Sequence, residues 1–170
     1  KNKKEAFDKV VFATHSDQAL SLIDNPSNDE KNILGKIKYQ KNNALIHTDE
    51  SILPKRKKAW ASWNYLIGNE QDNEVTLTYN MNILQSLNSE KTYCVTINNN
   101  QNIDKNKIIK EIVYHHPLFT TDTIKAQSRK NLINGKFNTY YCGAYWANGF
   151  HEDGVNSAID VCKNLGVNFE

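Results

Sequence analysis

Two segments at opposite ends of this chain share one order of features, and that order constrains the fold more than anything between them. Asp8-Lys-Val-Val-Phe-Ala-Thr14 is a short, nearly continuous apolar run, and after a polar turn Ser16-Asp-Gln-Ala-Leu-Ser-Leu-Ile23 carries helical spacing. Near the other end Thr139–Trp146 reads as an aromatic-rich strand. A loop punctuated by glycine follows it, and Asp153–Leu165 then sets Val155, Ala158, Ile159, Cys162 and Leu165 at helical spacing before Gly166. A continuous apolar run bounded by turn signals is the pattern of a strand covered on both faces, as in a parallel sheet with helices over it. Both ends therefore read as pieces of one α/β domain, with Ser16 or Asp17 placed to cap the first helix.

The middle changes character. Strands are predicted at Ile37–Tyr39, Ala44–Thr48, Ala59–Ile67, Val75–Asn80, Tyr93–Ile97 and Ile109–His115, separated by turn-rich stretches at Gly68–Asn73 and Asn98–Gln101. Thr76–Met81 alternates polar and apolar residues, the mark of an antiparallel or mixed sheet with one covered face. Shorter helical pieces are predicted at Asp29–Leu34 and Ile83–Leu87. A longer helix is predicted at Thr121–Ile133, capped by Thr121 or Asp122, with Ile124, Ala126, Gln127, Leu132 and Ile133 toward its inner side and Gly135 at its end. The expected class is α/β plus α+β. Residues 1–23 and 139–170 form the α/β pieces, and residues 24–138 form an inserted mixed sheet with a covering helix.

Composition narrows the function classes. A net charge of +2 argues for no polyanionic partner, and the Lys55-Arg-Lys-Lys58 cluster is short and lacks a recognition fold, so no nucleic acid is expected. No apolar run reaches the roughly 18–20 residues of a membrane span, and no signal peptide is visible. Three cysteines, Cys94, Cys142 and Cys162, without a Cys-x-x-Cys spacing fit a reducing compartment, and the expected location is cytoplasmic. The chain opens Lys-Asn-Lys-Lys and is already in a strand by Asp8, which reads as a fragment of something longer.

The candidate chemistry sits in the second end segment. Gly143, Gly149 and Gly154 fall within twelve residues of a chain that has seven glycines. A strand-to-helix loop gathers backbone N–H groups and the positive end of a helix dipole at one point, where anionic or electron-rich atoms can sit. In one reading Gly143 and Gly149 free the backbone around a bound ring, and the amides near Glu152–Val155 face negative charge developing on it. In the other, Glu152 and Asp153 cap a helix and favour its dipole by roughly 0.5–1 kcal/mol. A Gly-x-Gly-x-x-Gly phosphate loop occurs nowhere in the chain.

Gly143-Ala-Tyr-Trp-Ala-Asn-Gly-Phe-His-Glu-Asp-Gly-Val-Asn-Ser-Ala158 resembles the C-terminal flavin-contacting motif of the flavin-containing amine oxidase superfamily, in particular a bacterial branch of predicted NAD/FAD-dependent amine-oxidase-like proteins. Asp8–Leu20, Leu45-Ile-His-Thr-Asp49, Leu53-Pro-Lys-Arg56, Ala59-Trp-Ala-Ser-Trp-Asn-Tyr65, Thr78-Tyr-Asn-Met-Asn82 and Tyr114-His-His-Pro117 resemble that branch in the same order, so the resemblance covers nearly the whole chain. It implies a two-domain oxidoreductase with a discontinuous, Rossmann-like FAD domain. Residues 1–23 and 139–170 would be its C-terminal pieces, and residues 24–138 the substrate domain. It also implies flavin contacts from Gly143, Ala144, Gly149, Phe150, His151, Glu152, Asp153, Gly154 and Val155. FAD is the cofactor expected of the full-length protein. The fingerprint that would hold its pyrophosphate is absent here, so the partner expected is an N-terminal FAD-binding segment, without which the chain should be inactive.

The remaining candidates are weaker. Trp60, Trp63, Tyr65 and Tyr79 either line an aromatic substrate channel or pack within the sheet, and Trp60 and Tyr65 have opposite parity on a regular strand. His115 and His116, adjacent on a strand, point to opposite faces, and with His47 and His151 elsewhere no metal site is expected. His15 and Cys142 read as turn and packing residues. No side chain stands out as a catalytic base, and the substrate is an unspecified small molecule. The competing reading is a cofactor-free interaction or scaffold domain, a remnant of a split gene. For the chain alone, exposed apolar sheet surface should drive self-association.

Overall fold

The computed structural model describes residues 4–67, 76–98 and 103–167. The chain divides into two compact units, Lys1–Gln40 with His116–Glu170, and Lys41–His115. Residues 24–40 and 116–138, expected with the inserted sheet, thus cluster with the two ends. The cause is the apolar side of that region: Ile33, Leu34, Ala126 and Ile133 share one buried cluster with Ala19, Tyr141, Tyr145 and Trp146.

In the first unit β1 (Val10–Phe12) pairs in parallel with β7 (Thr139–Tyr141), with Val11 opposite Tyr140 and Phe12 opposite Tyr141. Each strand leads into a helix: β1 into α1 (Ser16–Leu22), and β7 through a loop into α5 (His151–Asn164). Successive side chains of β7 go to opposite faces. Tyr140 and Cys142 pack with Val161, Ala158 and Leu165 of the α5 segment. Tyr141 enters the larger cluster on the other face, stacked on Phe12 at 5.6 Å between ring centroids. α2 (Asn28–Leu34) starts at Ser27, whose hydroxyl accepts from the Glu30 N–H while the Glu30 carboxylate accepts from the Ser27 N–H, a reciprocal cap. The other Glu30 oxygen accepts from the buried Tyr141 hydroxyl at 2.5 Å, joining α2 to β7.

Several boundaries differ from the sequence reading. α1 is capped at His15, which stacks on Tyr39 at 4.4 Å, rather than at Ser16 or Asp17. The helix expected over Thr121–Ile133 is α4 (Thr121–Gln127) followed by a 3-10 turn at Lys130–Leu132, and its cap is Thr120, whose hydroxyl accepts from the Thr123 N–H. The strand expected over Thr139–Trp146 stops at Tyr141, and Ala144–Trp146 coils into a 3-10 turn.

The second unit is built on a five-stranded sheet of order β3-β4-β5-β2-β6, comprising β2 (Tyr39–His47), β3 (Trp63–Leu66), β4 (Thr76–Asn80), β5 (Cys94–Ile97) and β6 (Ile108–Pro117). The β3–β4, β4–β5 and β2–β5 pairings are antiparallel. The two strands expected at Ile37–Tyr39 and Ala44–Thr48 are one, and the strand expected from Ala59 begins only at Trp63, after a 3-10 turn at Lys57–Ala59. The helical turn expected at Ile83–Leu87 is α3 (Met81–Leu84), capped by the Asn80 side chain. The turns expected at Gly68–Asn73 and Asn98–Gln101 lie wholly or mostly outside the described residues.

One face of this sheet is buried and carries a run of hydrogen-bonded polar side chains beside Leu45 and Cys94. His47 Nδ1 accepts from the Asp49 N–H at 3.1 Å, which leaves Nε2 to donate to the Thr96 hydroxyl at 2.8 Å. Thr96 then donates to Thr78 at 2.8 Å. Burial pushes the His47 pKa down against the pull of Asp49, so the ring is neutral. Asp49 itself is buried and accepts from the Ser51 and Asp104 N–H groups and from Lys107 Nζ. Burial alone would raise its pKa, but together these contacts hold the carboxyl far below the ordinary range.

Candidate functional site

The β7–α5 connection is held from behind by side chains. Gln127 Nε2 of α4 donates to the carbonyls of Tyr145 and Ala147 at 2.9 and 2.7 Å. Ser157 of α5 accepts from the Gly143 N–H and donates to the Gly154 carbonyl, both at 2.8 Å. Trp146 Nε1 donates to the Tyr141 carbonyl at 3.1 Å. The loop is therefore fixed on its inner side, while Asn148, Gly149, Phe150, His151 and Glu152 are exposed.

The start of α5 is unusual in its cap. The N-cap residue is Phe150, which offers no side-chain acceptor to the first-turn amides. The Asp153 carboxylate is engaged elsewhere, accepting from the Phe150 and Asn148 N–H groups at 2.9 and 3.0 Å. Among the described residues the N–H groups of His151, Glu152 and Asp153 meet no capping side chain. A fourteen-residue helix thus presents its orphan amides and positive dipole end at an exposed loop. That donor set suits an electron-rich ring edge. It lacks the glycine-rich turn that would hold a pyrophosphate.

The nine residues expected to contact flavin all lie on this one loop and first helical turns. The reasons for two of the glycines are internal. A Cβ on Gly143 would stand 2.4 Å from the Tyr145 ring, so the space beside Gly143 is filled by the protein's own aromatic. Gly149 has φ of +88°, and a Cβ there would meet the Phe119 ring at 3.2 Å. At Gly154 a Cβ would make only ordinary contacts, 3.7 Å from the Ala144 nitrogen. The Tyr145 hydroxyl is buried with no hydrogen-bond partner among the described residues, and burial raises its pKa well beyond the ordinary phenol value.

Of the four aromatic candidates, Trp63 and Tyr79 are a cross-strand pair in edge-to-face contact at 5.6 Å, and Tyr65 shares their face of the sheet. Trp63 and Tyr65 are 50% and 64% exposed. Trp60 stands apart, in the turn before β3, with its indole N–H on the Pro54 carbonyl and Lys57 over its ring. These aromatics belong to the sheet unit and the loop to the other.

Residues that sequence reasoning missed are the positioning ones, Gln127, Asn134 and Ser157. The Asn134 carboxamide accepts from the Tyr141 N–H at 2.7 Å and donates to its carbonyl at 3.4 Å. Gln127 was placed on the inner side of its helix, but nothing in the spacing pointed to its two carbonyl partners. A cavity of about 270 Å³ lined by Ser27, Asp29, Glu30, Leu132, Ile133, Lys136 and Phe137 involves none of the expected site residues. No group of three His, Cys, Asp or Glu among the described residues is placed to hold a metal ion, and no helix of the described residues is long and apolar enough to cross a membrane.

No family model and no curated protein matches the chain. Among solved structures it is similar to the CLA-producing fatty acid isomerase from P. acnes, with a TM-score of 0.59 and 15% identity, over 94% of this chain and 42% of that one. At that identity the likeness is one of fold. The chain spans less than half the length of the protein it matches, and the mixed α/β fold found here runs through that shared part.

Proposed function

We propose that this chain is the C-terminal portion of an FAD-dependent, amine-oxidase-like oxidoreductase, contributing the substrate domain and the loop that meets the flavin ring. The observation that carries the reading is the exposed start of α5, where Phe150 leaves the first-turn amides uncapped at the end of a strand–loop–helix unit. Amides in that position favour negative charge on a bound ring, and the protein's part in flavin chemistry is to place the ring and tune its electronics. FAD, when bound, supplies the redox step. The amides of His151, Glu152 and Asp153 would face the ring, and Gln127 and Ser157 would hold the loop in place. The fold similarity over 94% of the chain supports this reading, as does the ordered set of motif resemblances. In it, the exposed face carrying Trp63, Tyr65 and Tyr79 meets the substrate, and an FAD-binding segment outside these residues holds the phosphates.

The test is a flavin titration of the chain followed by amide NMR. Lumiflavin, which has the ring and no phosphates, is expected to shift the 143–155 amides in a saturable way at millimolar concentration. FAD should bind little better, because the phosphate site is absent. Shifts scattered over the surface, or none in 143–155, would overturn the proposal in favour of a cofactor-free interaction domain.

A further inference from the structure

His47-Thr48-Asp49 belongs to the motif stretches in the sheet unit, and the proposed function gives it no part. His47 is 0% exposed, its ring Nδ1 taken by the Asp49 N–H at 3.1 Å and its Nε2–H by the Thr96 hydroxyl at 2.8 Å. The carboxylate of Asp49, a residue 2% exposed, is committed elsewhere. One oxygen accepts from the Ser51 N–H and from Lys107 Nζ, both at 3.1 Å, and the other accepts from the Asp104 N–H at 2.9 Å. Asp49 thereby fastens the 3-10 turn at Lys105–Lys107, which leads into β6, to the turn that leaves β2. The Thr48 N–H adds a bond to the Lys107 carbonyl at 3.0 Å.

This arrangement suits only a neutral ring. A second ring proton would set Nδ1–H against the Asp49 N–H, two donors with no acceptor between them, away from water. The neighbouring groups leave one source of relief. Cys94, directly across on β5, has its thiol pushed up to about 11 by burial and stays uncharged. Asn80, opposite Cys94 on β4, gives its side-chain oxygen to the Asn82 and Ile83 N–H groups. Glu50 accepts from the Thr92 hydroxyl at 2.6 Å and pairs with Lys57 at 3.4 Å. On the β6 side stand Lys107 and then Ile108 and Ile109, with Lys110 and Glu111 exposed. Asp49 is the carboxylate whose charge acts on the His47 ring.

We infer that His47 and Asp49 form an acid-sensitive latch on the sheet unit. With a neutral ring the Asp49 carboxylate holds the 104–107 turn. With a protonated ring that carboxylate turns to accept from Nδ1–H and lets the turn go. The proton comes from solvent, and no covalent bond between heavy atoms changes. Burial disfavours the charged ring more than Asp49 favours it, so the latch is closed at neutral pH and opens below the ordinary histidine value of about 6.5. Among the described residues β6 ends the strand order, so opening frays one edge and leaves the rest of the sheet paired. The latch needs no flavin, and its two residues lie within the Lys41–His115 unit.

The experiment is an NMR titration of the whole chain from about pH 8 to about pH 4.5, which brackets the ordinary histidine value. It follows the His47 ring, the Ser51 and Asp104 amides and, as a reference in the other unit, the Cys142 amide. Ser51 and Asp104 are expected to shift with the midpoint of the ring. Below it they should lose about tenfold or more of their exchange protection, after correction for intrinsic rates, while Cys142 keeps its own. His47→Asn sets a carboxamide oxygen near the Nδ1 position and cannot titrate, so the step should vanish. Lys107→Met keeps the ring and removes one donor to Asp49, so it should move the midpoint upward, and it keeps the test decisive where His47→Asn does not fold. A ring that titrates while Ser51 and Asp104 stay protected overturns the latch. So does a ring that stays neutral throughout, a step that survives in His47→Asn, or an unmoved midpoint in Lys107→Met. Loss of Cys142 protection at the same pH also overturns it, because the event is then global unfolding.

Discussion

Replacing Tyr141 with phenylalanine removes one oxygen and keeps the ring that stacks on Phe12. The lost hydroxyl is one of three donors to the Glu30 carboxylate, the others being the N–H and hydroxyl of Ser27 at 2.7 and 2.8 Å. Glu30 is 5% exposed and Tyr141 fully buried, so water cannot easily replace the bond. A hydrogen bond to a charged group contributes about 1.5–3 kcal/mol. For a chain of this size that is roughly 3–12 °C in Tm. The sign with pH follows from Glu30. Burial pushes its pKa up, but the bonds from Tyr141 and Ser27 outweigh burial and hold it below the ordinary carboxylate value. A depressed folded pKa contributes stability that is present above the unfolded value of about 4.3 and is lost as pH falls through the folded one. The deficit of Tyr141→Phe should therefore be largest near pH 7 and shrink as pH falls below the unfolded carboxylate value toward about pH 3.5, because the variant's Glu30 is protonated first. Calorimetric scans of both chains at the two pH values read this directly. A deficit below about 0.5 kcal/mol at pH 7, or one unchanged with pH, would refute the account of Glu30 as a buried, ionised acceptor.

Other perturbations follow from the same geometry. Thr96→Val strands the His47 Nε2–H and the Thr78 hydroxyl, and should cost roughly 1–3 kcal/mol in denaturant unfolding of the sheet unit. His47 has its folded pKa lowered, so the unfolded chain takes up the proton first. Stability of that unit should fall as pH drops below about 6.5, by at most about 1.4 kcal/mol per pH unit, and unfolding followed by tryptophan fluorescence would show it. Gly143→Ala drives a Cβ into the Tyr145 ring and should destabilise by about 1–3 kcal/mol, whereas Gly154→Ala, with only ordinary contacts, should be neutral or slightly stabilising; thermal melts of the pair separate the two.

The readable parts of the fold were those with a local period. The strand-to-helix order at both ends and the α1 helix follow from apolar spacing that needs no distant partner. Where the reading ran long, a side chain ended the element. The strand from Thr139 stops because the Gly143 N–H turns to Ser157 and the next residues coil. β3 starts late because the Asn64 carboxamide closes a turn onto Ala61 with bonds of 3.2 and 2.7 Å. Apolar periodicity carries no trace of such bonds. The loop was legible as a candidate from its glycines, yet the space beside Gly143 belongs to Tyr145. The more telling residue, Phe150 at an N-cap, drew attention only as part of a motif. Asn134, Gln127 and Ser157 act on backbone atoms 7 to 20 residues away, and a polar residue at that distance looks like any solvated one.

The neighbouring positions of β2 and β6 in the sheet bear on how the molecule assembles. The first unit is cut in two along the chain, and its halves can meet only after a long segment between them has closed into a loop, at an entropic cost that grows with the logarithm of loop length. The intervening sheet is continuous in sequence, and its β3–β4 and β4–β5 pairings join strands close along the chain. Once β6 is laid beside β2, Lys38 and Leu118 are within a 2.8 Å hydrogen bond of each other, and the loop is closed. By topology the nearby β3–β4 and β4–β5 pairings are expected to precede the distant ones, and β6 laid beside β2 would then make the long-range meeting of β1 with β7 a short-range one; folding kinetics of a β6 variant would test that order.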